Sequence, residues 1–395
     1  MFLFTLLPPV LAHGGLATND MAAAAFLGAT VLALLVWLER PTWLTSGLLG
    51  VCGGLAVLSR FSVLAFFPVA AVVMLAWRLW TARPKVARLA GDALRLLLPL
   101  VVALLVAGLV VWAGYRFSFG KVHFADLRLP APELYRGIQA VMEHNAKGHP
   151  SYLLGQRSEF GFWYYYPVVL AVKTPLAFLV LLALGVWACL RKRRESRCRM
   201  PLAFSLGILL VAVFSNINIG VRHILAVYIG FSIAAALAAG ELLERSRRSQ
   251  WRAWALGVLA LWLAGSSALA HPDYLAYLNQ LAGDEPEKVL ADSDLDWGQD
   301  MKRLGRRLRE VGAREVTFDP FIVAHLERVH GFPPIRQGNP FAPSPGWNAV
   351  SLTMWKVTRL GLFREQPGAR LWPDSFKPTE RVGQGTLLYY IPPAQ

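Results

Sequence analysis

The sequence predicts a polytopic α-helical membrane protein with a small C-terminal α/β domain, and three observations carry that prediction. Hydrophobic residues make up 55% of the chain and charged residues only 16%, a balance too apolar for one soluble domain of 395 residues. Many apolar runs approach or reach the roughly 20 residues that a helix needs to cross a bilayer. Near residue 272 the composition changes, and Pro, Gly, Asp, Arg and scattered aromatics replace the oily runs.

About nine spans follow in order: 1–12, 21–38, 45–58, 62–80, 95–114, 168–190, 202–217, 223–241 and 252–271. The first and third are short. Residues 1–271, including the loop 115–167, form the predicted helical bundle, and 272–395 form the predicted outer domain. In that domain "KRLGRRLREVGAREVTFDP" (302–320) reads as an amphipathic helix followed by a strand, and "NAVSLTMW" (348–355) and "GTLLYYI" (385–391) read as strands. The segment 271–283 links it to the last span, and the Pro/Gly-rich 331–347 reads as a connector or a lid. A small α/β domain over the outer face of the bundle is the expected result.

The net charge of +15 invites a nucleic-acid reading, but its distribution argues for topology. Basic residues cluster in 78–95, 191–199 and 244–252, each between apolar spans and at every second junction. That is the pattern of cytoplasmic loops. By parity, residues 13–20, 59–61, 115–167, 218–222 and 272–395 face outward, which in a bacterium means the periplasmic side of the inner membrane. Cys52, Cys189 and Cys198 all lie outside the outer domain, so no disulfide framework is implied.

Charge within or beside a bilayer is costly, so the polar residues at the outer junctions are the informative ones. Asp20 begins the second span. It, Thr18 or Asn19 reads as a helix N-cap, or Asp20 as a carboxylate that deprotonates a substrate. Arg60 stands on the outer side, against the positive-inside tendency, where it either snorkels or binds a lipid phosphate. "PAPELYRGIQAVMEHN" (130–145) has apolar residues at helical spacing and reads as an amphipathic helix, lying on the membrane or packed on the protein. Trp163, Tyr164, Tyr165 and Tyr166 read as an interfacial aromatic belt. Lys173, just inside the next span, either snorkels or binds an anionic headgroup. "FSNINIGVRHILAVY" (214–228) brings Asn216, Asn218, Gly220, Arg222 and His223 into one short outward turn. It is hairpin chemistry or, given its outward cations, the site of an anion.

Four blocks together resemble a known family: "NINIGVRHILAVY", "SYLLGQRSEFGFWYYYPVVLAVKTP", "AHPDYLAYLNQLAGDEP" and "LADSDLDWGQDMKRL". They are similar to the polyprenyl-phosphate-sugar-dependent membrane glycosyltransferases of the GT-C superfamily, in particular the bacterial protein-mannosyltransferase-like branch (family 39). The resemblance implies a helical bundle whose active site lies at the outer membrane surface. It implies a polyprenyl-phosphate-linked sugar as donor, membrane lipid as surroundings, and transfer with inversion to a hydroxyl acceptor on a protein, lipid or glycan. Cations at that surface stabilise a phosphate leaving group, which points to Arg60, Lys173, Arg222 and His223. Asp20 matches the acidic residue of the family's second outer loop and is the candidate base. Glu159, Asp292, Asp294 and Asp296 are acceptor-side or outer-domain candidates. Family members usually start with an additional span and a first outer loop bearing an acidic motif. Met1 here stands directly in an apolar run, so the expectation is either a start placed too far downstream or an impaired, shortened form.

The stretch "DSDLDWGQD" (292–300) has three further readings. As a calcium loop it fails, because Trp297 stands where Gly is needed and Arg303 where Glu is needed. As the Asp-x-Asp of a nucleotide-sugar transferase it lacks the accompanying domain. The remaining reading is a turn whose aspartates cap a helix beginning near Asp296 or Gly298. No metal site is expected, and a divalent cation stays open as a cofactor. The competing functions are an accessory or acceptor-binding subunit and a lipid-linked sugar transporter. A transporter normally carries polar residues near the membrane midplane and an internal repeat, neither of which the sequence displays.

Overall fold

The computed structural model describes residues 1–82, 86–122, 127–191, 196–246, 249–320, 325–358 and 370–393. Of the described residues 64% are helical, with a small sheet region near the C-terminus. It divides into two compact units. Unit 1 holds 1–147, 175–215 and 222–267, and unit 2 holds 148–174, 216–221 and 268–395. The C-terminal segment therefore folds together with two stretches that the sequence reading left in the bundle. Parts of the three basic loops, at 83–85, 192–195 and 247–248, lie outside the described residues.

Unit 1 is built from helices α1 (Phe2–Thr5), α2 (Pro8–Gly14), α3 (Asp20–Glu39), α4 (Trp43–Ser59), α5 (Val63–Ala82) and α6 (Val86–Gly114). A two-stranded ribbon of β1 (Phe119–Lys121) and β2 (Arg128–Pro130) precedes α7 (Pro132–Lys147). Then come α9 (Leu176–Arg191), α10 (Ser196–Val213), α11 (Val227–Ser246) and most of α12 (Gln250–Ala270). Among the described residues, five helices are long and apolar enough to cross a membrane: 20–39, 63–81, 95–114, 227–245 and 250–270. Helices α8 (Tyr165–Lys173) and α9 supply a sixth if they count as one interrupted span.

The difference from the expected nine has local causes. The run 1–12 is cut by the Pro8–Pro9 pair into two short helices. Helix α4 has only 17 residues, and the apolar part of α10 is shorter still. Without a hydrophobic drive between spans, helices associate by close packing of small residues. Gly50 and Gly54 on α4 do this against α6: a Cβ on Gly50 would stand 2.5 Å from the Ala103 carbonyl oxygen, and one on Gly54 2.7 Å from Val110. Ala33, Leu34, Trp37, Leu49 and Ala103 form the buried cluster beside this contact.

Unit 2 contains the hairpin β3 (Ser151–Leu153) and β4 (Gln156–Ser158), helix α8, and a five-stranded mixed sheet. The sheet is made from β5 (Val316–Phe318), β6 (Ile335–Arg336), β7 (Gly346–Ser351), β8 (Glu380–Val382) and β9 (Thr386–Ile391) in the order β6-β5-β7-β9-β8. β6, β5 and β7 run parallel, and β7, β9 and β8 antiparallel. Helix α13 (Met301–Glu310) and the short α14 (Leu326–His330) cover one face. There Met301, Leu304, Leu308, Val316, Phe318, Phe332 and Leu388 form a core. The period-2 alternation of β9 sends Leu387 and Tyr389 to the other face, against Ala276, Leu295 and Leu352. The helix and both longer strands expected from sequence are present, with the strand at 348–355 shortened. Its end turns into a π-helical segment, Met354–Thr358.

Candidate functional site

Unit 1 gathers four of the sequence candidates into one cluster. Asp20 is the first residue of α3, and its side chain is 1% exposed. No side chain caps the start of α3; Asn19 instead donates its amide to the Ser59 carbonyl oxygen at 2.8 Å. The carboxylate thus stands where the helix dipole favours negative charge. Arg60 ends α4 in extended backbone, which sends its guanidinium across to α3. Its Nη1 pairs with Oδ1 of Asp20. Nη1 of Arg222 lies 3.9 Å from Oδ2, and Oδ2 accepts no hydrogen bond among the described residues.

The second arm of Arg60 fixes a histidine. Its Nη2 lies 3.1 Å from Nδ1 of His223. A guanidinium only donates, so Nδ1 accepts and the neutral ring carries its proton on Nε2. Phe66 closes the imidazole from the side, with ring centroids 5.2 Å apart. Two guanidiniums around one carboxylate leave a net positive charge at the cluster. Asp20, Arg60, Ser62, Phe66, Arg222 and His223 line a cavity of about 20 Å³, room for about one water-sized group. Ser62 and Phe66 were missed from sequence. The short spacing of "RFSVLAF" (60–66) is the only signal that would have found them.

Lys173 takes a different part from the phosphate-binding one expected of it. It lies in unit 2, 1% exposed, and its ammonium donates to the carbonyl oxygens of Leu275 and Asp294 at 2.6 and 2.5 Å. An ammonium has three protons to donate, and two of them go to backbone here. The helix break beside it explains the arrangement. Pro175 has no N–H and disfavours helical backbone at Thr174, which frees the last carbonyls of α8. Asn279 satisfies them: its Nδ2 donates to Ala171 and Thr174, each at 2.6 Å, and its backbone N–H to Val172 at 2.7 Å.

Two of the three aspartates of 292–296, Asp294 and Asp296, serve as clamps within unit 2. Oδ1 of Asp294 accepts the Val221 N–H at 2.9 Å, and its other oxygen lies 3.4 Å from the Tyr165 hydroxyl. Gly220 has φ +84°, and a Cβ there would stand 2.8 Å from the Asp294 carboxyl carbon, so the strap 216–221 closes over this group only as glycine. Asp296 accepts from the Ser351 hydroxyl at 2.5 Å and the Gly298 N–H at 3.1 Å. Burial raises its pKa, which those hydrogen bonds partly offset. Asp292 is half-buried with φ +61°, and its neighbour Ser293 donates to the Ile219 carbonyl oxygen at 2.8 Å.

The helix expected at Asp296 or Gly298 starts later, at Met301. Asp300 flanks it without capping it, because its carboxylate accepts the Gln384 and Gly385 N–H groups at 2.8 and 2.7 Å. Glu159 is half-buried, and its backbone carbonyl abuts Gly148. The aromatic run divides: Trp163 is 72% exposed, whereas Tyr165 and Tyr166 are buried core residues. Tyr166 donates to the Ile217 carbonyl oxygen at 2.9 Å. Among the described residues, no group of three or more His, Cys, Asp or Glu side chains is placed to hold a metal ion. No protein-family model matches the chain, and no curated protein or solved structure matches it either.

Proposed function

We propose that the chain is a GT-C-type membrane glycosyltransferase that moves a sugar from a polyprenyl phosphate to a hydroxyl on a protein, lipid or glycan, with inversion. The observation that carries this reading is the cluster of Asp20, Arg60 and Arg222, with its excess positive charge. The apolar helices and the order of the four sequence blocks support it. In the reaction the acceptor oxygen bonds to the anomeric carbon from the face opposite the phosphate. The bond from that carbon to the phosphate oxygen breaks, and the phosphate leaves with the electron pair. Arg222 and Arg60 stabilise the charge that gathers there. The hydroxyl proton passes to Oδ2 of Asp20, the carboxylate oxygen that Arg60 leaves without a hydrogen bond. In the same reading about nine apolar segments lie in the inner membrane, with 272–395 in the periplasm.

The test is release of polyprenyl phosphate from a polyprenyl-phosphate sugar by the purified chain in the presence of an acceptor. Arg222→Ala should lower the rate by about 100-fold, the effect of losing one donor to a developing oxyanion. An unchanged rate would remove the phosphate-binding assignment. The small cavity at the cluster, about 20 Å³, favours one second reading, an accessory subunit that holds the lipid phosphate without turnover. Saturable binding of polyprenyl phosphate with no sugar transfer to any acceptor would select it.

A further inference from the structure

Helix α13 carries a feature that the proposed chemistry does not use. Lys302, Arg306 and Arg309 recur at intervals of four and three, which places them on one face of the helix. With Arg303, Val329, His330 and Gly331 they line a concave basin of about 570 Å³ within unit 2. Among the described residues, no acidic side chain lines it.

The partners of these cations differ in kind. Arg303 pairs with two carboxylates, Asp273 and Asp300, at 2.6 and 3.0 Å, and adds no positive charge to the basin. Arg309 donates to the carbonyl oxygens of His330 and Gly331, at 2.9 and 2.7 Å. Those bonds fix its guanidinium on the basin wall without cancelling its charge. Among the described residues, Arg306 has a long contact with Glu310, at 3.9 Å, and Lys302 is exposed. Three positive charges are thereby spread over eight residues, about 10 Å of helix.

We propose that this basin binds an extended oxyanion ligand, a polyphosphate or acidic glycan chain whose anionic groups span that distance. Guanidinium forks match phosphate and carboxylate oxygens in pairs. A single phosphate would reach only part of the row. The concave form suits a chain-like molecule, whereas a bilayer surface is flat. The basin volume falls within the range of ligand sites.

The experiment uses the full chain in nanodiscs of phosphatidylcholine. Inorganic tripolyphosphate and trigalacturonic acid are titrated separately by calorimetry, with orthophosphate as comparison. At least one of the extended anions should bind saturably, at least tenfold more tightly than orthophosphate, and more weakly as salt rises. Lys302→Gln combined with Arg306→Gln, both exposed changes, should weaken binding by 10-fold or more. Arg309→Lys keeps the charge but loses the fork, and should weaken it less. Absence of saturable binding by both extended anions would overturn the proposal, as would unchanged affinity in the double variant. Displacement of the bound anion on changing to phosphatidylglycerol discs would assign the surface to lipid and overturn it as well. None of these readouts depends on sugar transfer, so failure here leaves the proposed reaction standing, and the converse holds.

Discussion

At the residue scale, the two informative carboxylates differ in what they face. Asp20 faces guanidiniums from α4 and from the segment before α11, whereas Asp294 faces a backbone N–H and a tyrosine hydroxyl. Removing Arg60 takes the hydrogen-bond donor from the buried Asp20 carboxylate and leaves it the 3.9 Å contact with Arg222. Arg60→Ala should therefore destabilise unit 1 by about 1–3 kcal/mol, and the effect should shrink in the Asp20→Asn background. Chemical unfolding in detergent, run as a double-mutant cycle, measures this; additive effects would contradict the pairing. Asp294→Asn should destabilise unit 2, because an amide oxygen still accepts the Val221 N–H but the buried Lys173 ammonium loses the negative charge beside it. Asp294→Ala should cost roughly 1–3 kcal/mol by orphaning that donor. Asp296 supplies a pH dependence of definite sign. Its folded pKa is raised, chiefly by burial, so its protonated form is favoured in the fold. The stability it contributes is present below its unfolded pKa and is lost as pH rises through the folded value. The free energy of chemical unfolding should fall over that window, and Asp296→Asn should flatten the slope.

At the element scale, the break between α8 and α9 shows local sequence and distant sequence acting together. Pro175 dictates that the helix stops and releases carbonyls near its end. Asn279, more than a hundred residues away, satisfies them. Asn279→Ala should remove the amide that donates to the Ala171 and Thr174 carbonyls, at roughly 1–3 kcal/mol in all. Loss of protection along 165–173, read by hydrogen exchange, checks it; unaltered protection would mean the break is satisfied otherwise. The same scale separates what was legible in the aromatic run. Trp163 is exposed, but Tyr165 and Tyr166 enter the core of unit 2. Composition alone gives all three the same preference for an interface.

At the scale of the whole molecule, the positive-inside distribution predicts the orientation. The basic loops should be cytoplasmic, and a reporter fused after the C-terminus should be active only if it is active outside the cytoplasm. A cytoplasmic C-terminus would reverse the assignment of Asp20, Arg60 and Arg222 to the donor side. The sequence by itself determined the membrane character, the apolar helices, the change of composition near 272 and the helix and strands of the C-terminal segment. These follow from hydropathy and short-range periodicity, which are properties of neighbouring residues. It also named Asp20, Arg60, Arg222 and His223 one by one, because charge at an apolar junction is conspicuous. Only the tertiary structure decided that these four meet, that Lys173 instead holds backbone carbonyls, and that 148–174 and 216–221 fold with the C-terminal unit. Those are contacts between residues 40 to 163 positions apart. Such contacts are set by how helices pack and where buried polar groups find partners, and no local pattern encodes them.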